Sequence, residues 1–104
     1  MKIATGILTE DWNRIIEELM NDGWKVISKY EGFDAGIDFD FLILKFKKKK
    51  IMLAWDNWTE GKIKCNDDIM DELSIKFGIT FTYGKPENLT PFIIALTRLQ
   101  NYFF

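Results

Sequence analysis

Histidine is absent from the 104 residues, and cysteine occurs once, at Cys65. The first absence removes the side chain most often used as a general base near neutral pH and the commonest transition-metal ligand. Ser–His and Cys–His nucleophilic pairs cannot form within the chain. Zinc sites of the Cys/His kind are excluded too, because one cysteine cannot fill four positions. A single cysteine also forbids an intrachain disulfide, which fits a reducing compartment. A strong basic excess is missing as well: 14 Lys and Arg stand against 16 Asp and Glu, for a net charge of −2. General nucleic-acid binders draw much of their affinity from phosphate neutralisation and carry such an excess. No run approaches the roughly 18 apolar residues of a membrane helix. The N-terminal stretch meets Glu10 and Asp11 before any continuous apolar segment builds up, so no signal peptide is expected. The expected location is cytoplasmic.

What is present suits a packed core. Hydrophobic residues make up 47% of the chain and aromatics 15%, among them Trp12, Trp24, Trp55 and Trp58. Each such side chain stabilises a fold by roughly 1.5–3 kcal/mol when fully buried. The length fits one domain spanning residues 1–104, with no room for a second independent core.

Local patterns predict the order α-β-β-β-β-α-β-α. Thr9 to Asp22 has Trp12, Ile15, Ile16, Leu19 and Met20 at helical spacing, with Thr9 as a cap and Gly23 as a left-handed stop. Trp24 to Tyr30 alternates as a strand, with Trp24, Val26, Ser28 and Tyr30 on one face. Residues 31–37 read as a loop. Phe39–Lys47 and Lys50–Trp58 form a hairpin, and Lys62–Cys65 follows a Glu60-Gly61 turn as a further strand. Asn66 caps a second helix through Phe77, Ile79 to Tyr83 alternates as a fifth strand, and Thr90-Pro91 opens a last helix with Phe92, Leu96, Leu99 and Phe103 on its buried stripe. The expected fold class is α+β: one antiparallel sheet of four to five strands, with helices mainly on one face.

The hairpin carries most of the functional reasoning. A turn centred on Lys48 and Lys49 pairs Phe46 with Ile51, Leu44 with Leu53, Leu42 with Trp55 and Asp40 with Asn57. That face is expected to meet the helices. The reverse face then carries Phe39, Phe41, Ile43, Met52, Ala54 and Trp58, and it is also largely apolar. A half-exposed antiparallel sheet alternates apolar and polar residues; this one does not. The reverse face therefore needs a cover, either from within the chain or from a partner.

Two charged groups flank it. Asp34, Asp38, Asp40 and Asp56, with Glu31 and Glu60, gather at one hairpin end. The spacing Asp34-x-Gly36-x-Asp38-x-Asp40 shares its alternation with calcium loops, but its glycine is displaced and no closing Glu follows. Turns demand the same residue types, so neither a metal site nor a cofactor is expected. At the other end Lys45, Lys47, Lys48, Lys49 and Lys50, with Lys62 and Lys64 on the neighbouring strand, form a basic patch. Such a patch either meets phosphate or simply keeps a hairpin tip solvated and unpaired. Cys65 reads as a core residue.

Size, lack of histidine and an acidic, aromatic strand end together resemble small bacterial partner-binding proteins, including immunity proteins that neutralise secreted toxins. The resemblance lies in the whole chain, has no motif and carries no residues over. The expected function is a non-enzymatic protein-binding module using Asp34, Asp38, Phe39, Asp40, Phe41, Met52, Asp56 and Trp58, with Trp58 as the anchor. The alternatives are a homodimeric structural or regulatory protein, nucleic-acid binding through the lysines, and a carboxylate or metal-dependent enzyme. No membrane association is expected.

Overall fold

The computed structural model describes residues 2–34 and 37–84, without the side chains of 32–34 and 37. Along the chain these residues form β1 (Lys2–Ile7), α1 (Thr9–Asn21), β2 (Lys25–Asp34), β3 (Ile37–Phe46), β4 (Lys49–Asp56), β5 (Glu60–Cys65), α2 (Asp67–Phe77) and β6 (Thr82–Tyr83). The class is α+β, as the sequence predicts. The predicted helix from Thr90 lies outside the described residues, as does the loop after Gly84. No described helix is long and apolar enough to cross a membrane.

The strands make one sheet in the order β2-β3-β4-β5-β1-β6, and every neighbouring pair is antiparallel. The six strands exceed the expected four to five because β1 is itself a strand, inserted between β5 and β6. Its alternation is broken: the register shifts between Ala4 and Ile7, where Gly6 takes a φ of 62°. A bulge of this kind brings two buried residues, Ala4 and Ile7, three positions apart, which no period-2 pattern would show.

Both helices cover the same face. Trp12, Ile15 and Leu19 of α1, with Ile69, Met70, Leu73 and Phe77 of α2, pack with Leu42, Leu44, Ile51, Leu53, Ile63 and Cys65 in one core cluster. Thr9 is the first helical residue rather than the cap, and Leu8 precedes it without a side-chain cap bond. The Thr9 hydroxyl instead accepts a hydrogen bond from Trp55 Nε1 at 2.9 Å, tying the start of α1 to β4.

The central hairpin turns at Lys47-Lys48, pairing Phe46 with Lys49, Leu44 with Ile51 and Leu42 with Leu53. Its register is displaced by two residues from the expected one. Two is the side-chain period of a strand, so both faces keep the expected residues. The turn demands a φ of 56° from Lys47.

Three segments differ from expectation, the shortest being the strand read over Ile79–Tyr83, of which only Thr82–Tyr83 is strand. Glu31–Asp34 extends β2 and Ile37–Asp40 opens β3, so the run read as a loop is mostly paired strand. The β4–β5 turn falls at Asn57–Thr59, and Gly61 sits inside β5. The glycine marks close packing: a Cβ there would lie 2.6 Å from Trp12 Cδ1.

Candidate functional site

Asp56 ends β4 on the reverse face, and the turn folds back over it. Its Oδ1 accepts the Trp58 N–H at 2.9 Å and the Thr59 N–H at 2.7 Å. The Thr59 hydroxyl donates to Oδ2 and accepts from Lys62 Nζ, and Lys62 Nζ lies 3.2 Å from the same Oδ2. Asp56 and Lys62 are each only 3% exposed. Burial by itself pushes the Asp56 carboxyl upward. The Thr59 hydroxyl, the two N–H groups and the Lys62 charge overcome that and hold it below its ordinary value. A buried ion pair persists where further hydrogen bonds satisfy its remaining atoms. Here they do.

The network fixes the backbone of residues 56–62. Glu60 takes a φ of 61°, a conformation costing a non-glycine residue roughly 1–2 kcal/mol, which the Asp56 bonds offset. Asn57 is also tied down: its N–H donates to the Asp38 carbonyl at 3.1 Å and its Oδ1 accepts the Asp38 N–H at 2.9 Å. Within this fixed turn Trp58 stands 71% exposed.

The acidic residues divide. Asp38 is exposed and Asp40 half-buried on β3, whereas Asp56 is buried and committed to Lys62. Asp34 lies on β2 opposite Ile37. Glu31, opposite Asp40, forms an exposed 2.9 Å ion pair with Lys29. Burial, then the like charges of Glu31 and Asp38, raise the Asp40 carboxyl against the pull of Lys29.

Phe41 and Met52 leave the contact surface. They are buried within the chain itself, at 3% and 0% exposure, together with Ile43 and Ala54. Phe39 is half-buried and stacks on exposed Tyr30 at 5.6 Å between ring centroids. The accessible candidates are therefore Trp58 on the turn and Asp38 and Asp40 on the helix side of β3, with Glu31 across from Asp40, whereas Phe39 and Tyr30 lie on the reverse side. Sequence reasoning missed Tyr30 and Thr59: the β2 bulge hid the face of the first, and a misplaced turn hid the role of the second.

The lysines divide too. Lys45, Lys47, Lys48 and Lys49 are exposed and Lys50 half-buried at the hairpin tip, and Lys49 lies 3.8 Å from Glu72. Lys64 is half-buried opposite Met52, where burial lowers its pKa. Lys62 belongs to the opposite end of the sheet, under the β4–β5 turn, and is not part of a basic patch. Cys65 is buried and its thiol pushed up to about 12, chiefly by burial, which suppresses the thiolate.

Thr59 between Lys62 and Asp56 superficially presents a hydroxyl to an amine. General-base activation needs the amine's lone pair, and here the amine faces both the Thr59 hydroxyl and the Asp56 carboxylate. The arrangement is suited to holding a turn. Neither a family model, nor a curated protein, nor a solved structure matches the chain.

Proposed function

We propose that this chain is a non-enzymatic protein-binding module that inserts Trp58 into a basic partner and steers it with Asp38 and Asp40. Partner-neutralising proteins of the immunity type work in this way, by occlusion. One observation carries the reading: a tryptophan is left 71% exposed on a turn that a buried ion pair fixes. Tryptophan is enriched among binding hot spots, and a preorganised anchor avoids the ordering cost of association. The disfavoured charge of Asp40 supports a cationic partner, since complementary charge accelerates encounter.

The test is a calorimetric titration with a purified basic protein encoded beside this one. Trp58→Ala is expected to weaken binding by about 30-fold or more, the loss of a hot spot worth about 2 kcal/mol. Asp38→Asn with Asp40→Asn should slow association and flatten its salt dependence. Affinity unchanged by Trp58→Ala would reject this surface.

A further inference from the structure

The strand β2 lies at one end of the sheet, with a strand neighbour on one side only among the described residues. Several of its side chains are exposed where the β3 residues they pair with are buried. Val26 is 38% exposed although its partner Leu44, on the helix side, is fully buried; Tyr30 is 56% exposed although its partner Phe41, on the reverse side, is 3% exposed. Ile27, at the register shift, is 47% exposed. The strand is 10 residues long, against a usual 5–6. Past the shift, Ser28 to Asp34 pairs without interruption, so one side of a regular, partly apolar ribbon has no strand neighbour among the described residues. Such an edge is a template for another strand.

We infer that β2 pairs antiparallel with β2 of a second copy of this chain, about a two-fold axis at Tyr30. The charges favour this register over those centred on Lys29 or Glu31, and its paired residues lie past the register shift. A two-fold axis perpendicular to a continuous sheet must pass between a residue and its own copy, because opposed residues share a face. Centred on Lys29 or on Glu31, the axis would set like charges directly against each other. Centred on Tyr30, it sets Lys29 against Glu31 of the second copy, twice, on the helix side. On the reverse side it brings two Tyr30 rings together, each already stacked on a Phe39. The pairing stands independently of the role of Trp58.

Light scattering at high micromolar concentration is expected to show a dimer. Lys29→Glu should weaken it about tenfold by opposing Glu to Glu at two places, and adding Glu31→Lys should restore it. Because the native thiol of Cys65 is buried, Tyr30→Cys supplies a clean probe. Residues opposed across an antiparallel pair lie about 4.5–5.5 Å apart at Cα, within disulfide range. Mild oxidation should link Tyr30→Cys and leave Val26→Cys, far from its own copy in this register, unlinked. A wild-type monomer, or equal linking at both positions, would overturn the inference.

Discussion

Lys62→Ala is expected to destabilise the protein by about 3–5 kcal/mol, the usual cost of stripping one partner from a buried ion pair. The variant leaves Asp56, only 3% exposed, as a charge without its counter-ion. Asp56→Ala should cost as much, because the N–H groups of Trp58 and Thr59, which the carboxylate accepts at 2.9 and 2.7 Å, lose their acceptor. The two losses should be far from additive in a double-mutant cycle. Urea unfolding measures all three variants. The pH dependence has a definite sign. Asp56 titrates below its ordinary value in the folded chain, so the unfolded state binds the proton first. Its contribution is present above the unfolded value of about 4 and is lost as pH falls through the folded one. Asp56→Asn, which cannot titrate, should be less stable at neutral pH and flatter in its response to acid.

Phe41→Ala should cost about 3–5 kcal/mol in urea unfolding, while Trp58→Ala should change stability by about 0.5 kcal/mol or less. Both residues are aromatic, and the sequence assigns both to one partner-binding surface. Their surroundings separate them. Phe41 packs with Ile43, Met52 and Ala54 in a cluster closed from solvent, so truncation removes transfer energy and opens a cavity. Trp58 keeps 71% of its surface in water and loses little when cut back. Equal costs for the two would mean that the reverse face is not a core.

That contrast also marks how far the sequence is legible. The two apolar faces of the hairpin follow from alternation alone, and they survive a turn at Lys47-Lys48 instead of Lys48-Lys49 because moving the turn by one residue shifts the register by two, and an even shift preserves side-chain direction. Odd irregularities are what defeat the reading. The bulge at Ile27 puts Val26 opposite Leu44 on the helix side and Tyr30 opposite Phe41 on the reverse side, so the single face assigned to Trp24–Tyr30 is divided. One strand in from the other end of the sheet, Gly6 interrupts β1 in the same way. The candidate site was half visible. Their exposure leaves Trp58, Asp38 and Asp40 accessible, and their choice as candidates comes from composition and alternation. The Asp56–Thr59–Lys62 network does not, because Gly61 resembles a turn residue while serving as space for the Trp12 ring. Placing the turn at Asn57–Thr59 would have set Asp56 and Lys62 on one face of adjacent strands, close enough to pair.

If the exposed Trp58 turn is held rigid, amide hydrogen exchange reveals it without any partner. The N–H groups of Trp58 and Thr59 should exchange as slowly as those of the neighbouring strands, and Lys62→Ala should release both while β3 and β4 remain protected. Exchange of these two amides at the rate of an open loop in the wild-type protein would mean that the Asp56 network does not hold the turn.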